Sequence, residues 1–424
     1  MTTGNKAVYS IVAVFTLLQI LMLVIFGYTP YPDSDGYIKL ARICIAHGQP
    51  YPVELHNLEF IWNVGAINAV VISLKLFGSC TPLLVTYALM KGATALLLYK
   101  IARLTASGKT AFIALAIYVL YPANYGEATS VQSELPFVFF MMLATYIYLR
   151  KQNKVMASII AGAVMGIANW FRPMAMIFML SLLVVKPRRR WITLVTGYAL
   201  MICVIGGISH TRTGRFIYQA ETGWMALMQY HWNHDSHPTG SDPMITAPGM
   251  DCVQRDSLWR SHFISWLKDN PDEYVGQMPI KIAKTYVSDN PNMCAYMSAK
   301  DKHKGYMYEN ISMKALQSSF PHYSPIQTLT ICNLIFYYLI MALFIMGCVE
   351  TIRRRDNKMM LTVCIFVMGT ATLALVGHGE ARFHTPYMPF IIICAAYFIQ
   401  SAITSVHTKK AVAEVNPDTA PENP

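Results

Sequence analysis

Charge is scarce in this sequence. Asp, Glu, Lys and Arg make up 13% of the 424 residues while 54% are hydrophobic; soluble domains carry about 25% charged residues. That shortfall excludes an ordinary water-soluble globule and points to a membrane protein. Motifs for metal binding or thiol redox chemistry are also missing. The nine cysteines include no Cys-x-x-Cys pair and no zinc-ligand spacing. Cys44, Cys80, Cys203, Cys332, Cys348, Cys364 and Cys394 lie in or beside apolar stretches, where cysteine behaves as a small hydrophobe. Cys252 and Cys294 share one polar segment and would be able to bridge if that segment is extracytoplasmic. No cleavable signal is evident, because the first apolar run is too long for a signal core and lacks a small-residue cleavage site. No internal repeat is visible. The net charge of +11 does not indicate nucleic acid, since the Lys and Arg residues form short clusters between apolar runs. Such clusters hold loops on the cytoplasmic face.

What the chain has instead is a series of apolar runs. Val8 to Tyr28 contains no charged residue and is long enough to cross a hydrocarbon core of ~30 Å. Further apolar segments cover 82–104, 110–122, 134–149, 155–171, 173–185, 191–209, 326–349, 359–377 and 386–404. Basic clusters follow at Lys100/Arg103/Lys109, Arg150/Lys151/Lys154, Lys186/Arg188/Arg189/Arg190, Arg353/Arg354/Arg355/Lys358 and Lys409/Lys410. If all five clusters are cytoplasmic, the loop holding Asp33 is external, and parity leaves one crossing, 82–104, between Asp35 and Arg103. The segment 57–78, with Glu59, Asn63, Asn68 and Lys75, and the piece 35–47, with Lys39, Arg42 and His47, read as interfacial helices. The expected fold is an all-α polytopic membrane protein of about ten transmembrane helices. Its expected parts are a transmembrane module (1–209) with a first external loop (29–81), an external cap (210–325), three last helices (326–404) and a disordered tail (405–424).

The polar residues outside the basic clusters gather on the external side. Tyr31-Pro32-Asp33-Ser34-Asp35-Gly36-Tyr37 delivers two carboxylates to a membrane–water boundary; its plainer reading is a polar turn ending a helix. Ser133-Glu134-Leu135-Pro136 places a carboxylate, a candidate holder of an acceptor hydroxyl, at the mouth of the next apolar run. It reads equally as a capped helix start. Arg172-Pro173 breaks two apolar runs, and an arginine there needs either a partner or a route to the interface. The late turn Gly377-His378-Gly379-Glu380-Ala381-Arg382-Phe383-His384-Thr385-Pro386 packs four ionisable groups into seven residues. Its Arg382 and histidines are candidates for binding a phosphate by charge-assisted hydrogen bonds, with Glu380 orienting Arg382. Arg212 and Arg215 are candidate headgroup contacts or surface charges. Three weaker signals are set aside. Ser107-Gly108-Lys109-Thr110 resembles the end of a P-loop, but Arg103 occupies the place of the first glycine. His231, His234 and His237 beside Asp235 read more simply as a polar loop than as zinc ligands. Asn310-Ile311-Ser312 would accept a glycan only in a secretory pathway.

This order of motifs resembles the GT-C superfamily of polytopic glycosyltransferases, which includes protein O-mannosyltransferases and the lipid A aminoarabinose transferase. The resemblance spans 8–210 and, in outline, 326–404; the segment 210–325 has no counterpart in it. It implies a sugar donor carried on a polyprenyl phosphate, an acceptor that is a lipid, a glycan or a protein, and inverting transfer on the external face. A bacterial inner membrane with a periplasmic site would suit it. The family's catalytic aspartate maps onto Asp33 or Asp35, with Asp33, four residues before Tyr37, as first choice. Relatives carry a charged or His-Pro-Pro element before the second interfacial helix, where this chain has Glu54, His56 and Glu59 without the proline pair. The expected acceptor and donor contacts are Glu134, Glu59, His56 and Tyr37, and the phosphate contacts are Arg172, His378, Glu380, Arg382 and Arg212.

Transfer from a sugar phosphate needs a base for the acceptor hydroxyl and cations for the leaving phosphate. Asp33 and Arg172/Arg382 fill those roles. Asp33 and Asp35 are candidates for holding a divalent cation, and the nearby Arg and His side chains are candidates for serving in its place. Two other classes stay in view. A transporter or flippase would place ionisable groups at the midplane and show two matching halves, whereas here Lys91 and Asn169 are the main polar intrusions. A polysaccharide ligase or polymerase would rely on loop arginines such as Arg212 and Arg215.

Overall fold

The computed structural model describes residues 3–30, 33–55, 61–150, 154–185, 187, 190–232, 249–289, 313–377 and 379–415. The first apolar run forms α1 (Thr3–Phe26). Gly27, at φ 67°, ends it and returns its amide to the Leu23 carbonyl (2.8 Å); this left-handed geometry is open to glycine without steric cost. The two predicted interfacial pieces are the helices α2 (Ser34–His47) and α3 (Val64–Phe77). Next come α4 (Thr81–Thr105), α5 (Gly108–Leu120), α6 (Glu134–Arg150), α7 (Val155–Phe171), α8 (Ala175–Ser181) and α9 (Arg190–Thr213). After helices α10 (Gly223–Trp232), α11 (Cys252–Asp269), α12 (Pro271–Tyr286) and α13 (Met313–Ser318), the chain closes with α14 (Pro325–Arg354), α15 (Met360–Val376) and α16 (Met388–Val415).

Every segment read as a span is helical, but length supports fewer crossings than ten. Among the described residues five helices are long and apolar enough: Lys6–Phe26, Thr81–Thr105, Arg190–Thr213, Pro325–Arg354 and Ala381–Val406. A sixth is reached by joining Pro122–Thr129 to Glu134–Arg150 across a 113° bend. The remaining segments are the shorter apolar helices Gly108–Leu120, Val155–Phe171, Ala175–Val184 and Met360–Val376; at 1.5 Å per residue a 17-residue helix covers only about 26 Å. The tail also differs from expectation. Helix α16 runs through the lysine pair to Val415, because Ala-Val-Ala-Glu-Val carries no breaker and continues a helix already nucleated.

Small residues let the helices close on one another. A Cβ on Gly162 of α7 would lie 1.9 Å from the Leu194 carbonyl oxygen of α9, and one on Gly197 of α9 would lie 2.0 Å from the Ile159 oxygen. This is the small-residue packing expected where lipid supplies no hydrophobic drive between helices. Buried charges inside the bundle are matched. Lys91 of α4 pairs with Glu127 in the turn before α6. Arg190 donates to Ser158 Oγ and to the Tyr148 carbonyl, each at 3.1 Å.

The segment between α9 and α14 is fastened to the helix ends. Ile61 and Glu221 form an isolated antiparallel bridge. Leu227, Met228, Trp259 and Phe263 make a small separate core against which Trp62 packs. Helix α12 ties to α15 through Tyr274 Oη donating to the Leu375 carbonyl (2.5 Å) and a Tyr286–Thr370 hydroxyl bond (2.8 Å). Tyr337 of α14 donates to the Tyr286 carbonyl (3.0 Å).

Helix α3 seats directly on the end of α7, where a Cβ on Gly65 would lie 2.7 Å from the Trp170 oxygen and 2.9 Å from the Phe171 nitrogen. Both are backbone atoms and cannot rotate away. Gly65→Ala should therefore lower stability by about 1–3 kcal/mol, read as a drop in the melting temperature of the detergent-solubilised protein. An unchanged melting temperature would show that the two helices can part without cost.

Candidate functional site

The loop after α1 is strapped to the turn before α6. Thr29 N donates to the Thr129 carbonyl (3.0 Å), Ser130 Oγ to the Thr29 carbonyl (2.7 Å) and Ser34 Oγ to the Val131 carbonyl (2.9 Å). These bonds lay the start of α2 alongside the start of α6, which brings Asp33 towards Glu134. Asp33 occupies the N-cap of α2 yet caps no amide. Its Oδ2 instead meets Arg382 Nη1 at 2.5 Å, and Arg382 Nε lies 2.9 Å from Glu380 Oε1. Arg382 stands on a short 3-10 turn, Ala381–Tyr387, just before α16.

Arg172 ends α7 in an extended conformation (φ −154°), as the following Pro173 requires. Its Nη1 lies 2.5 Å from Glu134 Oε1 and donates to Ser133 Oγ (3.2 Å). The Ser133 hydroxyl donates to Glu134 Oε2 (3.2 Å) and accepts from Asn63 Nδ2 (3.2 Å), which also reaches Tyr37 Oη (2.8 Å). Phe383 joins the two pairs. Arg172 lies 5.2 Å and Arg382 5.8 Å from its ring centre, within cation–π range. Side-chain exposure climbs from 4% at Glu134 and 10% at Arg172 to 14% at Arg382, 23% at Asp33 and 36% at Glu380. The cluster thus opens to solvent on its Asp33–Glu380 side.

Burial pushes the Asp33 carboxyl above the usual carboxylate range, opposed by the Arg382 guanidinium and helped by the Glu134 charge. A raised carboxyl favours folding below its unfolded value, a contribution that fades as pH rises through the raised one. As a base the sign is opposite: the ionised, useful form is lost as pH falls through the raised value.

The other expected residues divide as follows. Tyr37 is buried beside the cluster. Asp35 is exposed on another side of α2, where it accepts from Tyr28 Oη (2.8 Å) in a groove with Lys39 and Arg42. Asp33 and Asp35 therefore diverge and do not form the shared cation site considered above; among the described residues no three His, Cys, Asp or Glu side chains group closely enough for a metal. Arg212 is exposed in the last turn of α9 and takes no part in these ion pairs. His56, Glu59 and His378 lie outside the described residues, as do His234, His237, Asn310 and Cys294. Cys252 is buried with its thiol 3.6 Å from the Val53 carbonyl. Ser107 caps α5, accepting from Thr110 N (3.1 Å), so the P-loop-like stretch is a helix start. Asn63, seen from sequence only as polarity in 57–78, is a linking group of the cluster. His384 and Asp289 make a neighbouring buried pair (3.4 Å); Asp289 has no sequence signal, since its partners are distant in the chain.

A family model described as the Alg9-like mannosyltransferase family matches residues 321–415. Another, described as a predicted membrane protein (DUF2079), matches residues 66–218. No curated protein matches by sequence. Among solved structures the chain is similar to the oligosaccharyltransferase AglB from Archaeoglobus fulgidus, solved with an inhibitory peptide and a dolichol-phosphate. That match has 12% identity and a TM-score of 0.48, and covers 100% of this chain and 53% of that one. It is also similar to ArnT from Cupriavidus metallidurans bound to undecaprenyl phosphate, at 14% identity and a TM-score of 0.41, covering 100% and 82%. The chain spans about half the length of the oligosaccharyltransferase structures it matches. The chain is an integral membrane protein, and the Alg9-like match, which contains the Glu380–Phe383 turn, supports a glycosyltransferase.

Breaking the most buried pair tests the cluster's architecture. Glu134→Leu strands Arg172 without its carboxylate and should cost about 3–5 kcal/mol. The double substitution Glu134→Leu/Arg172→Met should recover most of that loss in thermal melting. A double variant as unstable as the single would show that the pair is not what matters there.

Proposed function

We propose that this protein transfers a sugar from a polyprenyl-phosphate donor to a lipid, glycan or protein acceptor at the extracytoplasmic face of its membrane, with inversion at the anomeric carbon. The observation that carries the reading is the Asp33–Arg382 pair set beside Arg172–Glu134. It joins a candidate base to two candidate phosphate ligands from four separate parts of the chain. The Alg9-like match over 321–415 supports the same class of chemistry. The external placement rests on the basic clusters, which all lie at the other ends of the helices that bear these groups.

In this mechanism the acceptor hydroxyl attacks the anomeric carbon from the side opposite the phosphate. Its oxygen forms the new glycosidic bond, its proton passes to Asp33, and the bond from anomeric carbon to phosphate oxygen breaks. Arg382 and Arg172 take up the charge that grows on the leaving phosphate. The donor is already activated, so positioning and this electrostatic term supply most of the acceleration. Arg382 would exchange Asp33 for the incoming phosphate. That exchange withdraws the cation that holds the Asp33 proton affinity down, strengthening the base as the donor arrives. Arg212 lies exposed outside the cluster, which favours this reading over a ligase or polymerase built on loop arginines.

Asp33→Asn should abolish transfer from a polyprenyl-phosphate sugar in reconstituted membranes while leaving expression intact; normal turnover would remove Asp33 as base. Arg382→Gln should raise the donor KM about tenfold or more. It should also move the acid limb of the kcat/KM–pH profile upward, because Asp33 loses its opposing cation. A limb that stays in place would show that Arg382 does not act on Asp33.

A further inference from the structure

The turn that carries Arg382 is gripped from the external segment. His384, two residues after Arg382, is fully buried. Its ring lies between Tyr286 and Tyr337, with centroids 5.6 and 5.3 Å away and 27° between the planes in each case. Nδ1–H donates to the Thr285 carbonyl (2.8 Å), and Nε2 faces Asp289 Oδ1 at 3.4 Å. Asp289 Oδ2 in turn accepts from the Tyr121 hydroxyl, at the end of α5, and from Asn333 Nδ2 of α14 (3.1 Å). The other end of the turn is pressed against the same helix. Gly379 has φ 74°, and a Cβ there would sit 3.1 Å from the Lys281 Cα and oxygen. Lys281, Thr285 and Asp289 recur at four-residue spacing and are 1%, 0% and 5% exposed, so one line along α12 and its continuation holds both ends of the turn.

We infer that Asp289 and His384 form a buried clamp that positions Arg382, so that the external segment sets the geometry of the phosphate end of the site. This rests on the role proposed above for Arg382. Both are positioning residues: His384 fixes the turn, Asp289 fixes His384 and ties it to α5 and α14, and the effect reaches the reaction through Arg382. A residue that merely stabilised the fold would leave the proton affinity of Asp33 alone. A residue that holds Arg382 against Asp33 would not. Asp33 is faced by Arg382 and Glu380 from the turn, Glu134 from α6, Arg172 from the end of α7 and Tyr37 from its own helix. His384 lies two residues beyond Arg382 in the chain, and among the described residues Arg382 is the charged side chain that pairs with the Asp33 carboxylate.

The test is the pH dependence of carbodiimide labelling at Asp33, read by peptide mass spectrometry on the full chain in nanodiscs. His384→Gln and Asp289→Asn should each raise the labelling midpoint, by up to about one pH unit, in the direction of Arg382→Gln. The double variant Arg382→Gln/His384→Gln should match Arg382→Gln alone, since His384 acts through the arginine. In transfer assays the two clamp variants should raise donor KM several-fold more than they lower kcat. Should His384→Gln fail to fold, Asp289→Asn and Tyr121→Phe keep the side-chain shapes and test the same chain of contacts. A wild-type midpoint in the folded clamp variants, or a double variant shifted beyond Arg382→Gln, overturns the clamp. Absence of transfer by the wild-type protein would instead count against the proposed function, and the labelling midpoints decide the clamp without turnover.

Discussion

Two arginines at the edge of an apolar bundle require carboxylates. An ion removed from water loses several kcal/mol of solvation, and an opposite charge at hydrogen-bond distance is what offsets it. Arg172 and Arg382 are 10% and 14% exposed, too enclosed to rely on water. Their partners come from the loop after α1 and the start of α6. Satisfying both therefore fixes the relative placement of four stretches that are up to 349 residues apart. The straps from Thr29, Ser130 and Ser34 to the turn before α6, and the seat of α3 on the end of α7, keep those stretches in register.

The same demand explains two groups that forgo ordinary roles. An aspartate at an N-cap commonly accepts from the first helical amides, a bond worth about 1 kcal/mol. Asp33 makes none and spends its carboxylate on Arg382. Ser133, placed like a cap for α6, turns its hydroxyl to Glu134, Asn63 and Arg172. Local helix stability is given up for a polar network, as is common where residues are held for chemistry. The network also accounts for Asn63, whose amide is the bridge from the first loop to Ser133.

Much of this was legible in the sequence because short polar turns between long apolar runs have few places to go. Pro-Asp-Ser-Asp, Ser-Glu-Leu-Pro, Arg-Pro and Glu-x-Arg-Phe each stand between such runs, and basic clusters at the opposite ends put them on a common side. Rotation about a helix axis was not legible. Read as a turn, Asp33 and Asp35 look equivalent; once α2 begins at Ser34, positions two apart point about 200° away from each other, and only Asp33 meets the cluster. The count of about ten spans is not confirmed by helix length, since α5 and α15 are apolar but only 13 and 17 residues long. The Asp289–His384 pair lay beyond reach because its partners, Tyr121 and Asn333, are joined to it only by the fold.

The charge count of the cluster constrains how a donor can enter. Among the described side chains of these ion pairs, Asp33, Glu134 and Glu380 supply three formal negative charges against two positive ones from Arg172 and Arg382, a formal net −1. On the proposed reading, a donor phosphate binds one of the arginines by replacing its carboxylate. The Arg172–Glu134 pair is the more enclosed, so releasing Glu134 would leave a buried acid without compensation. Asp33 and Glu380 are more exposed, and water can solvate them when Arg382 turns to the phosphate. Exchange at Arg382 is thus the least costly route. It frees Asp33, the candidate base, at the moment a donor occupies the site, and with its cation gone Asp33 holds a proton more firmly. On the proposed reading, donor binding and base strength are then one event, with the Asp33 carboxylate masked by Arg382 until a phosphate takes its place.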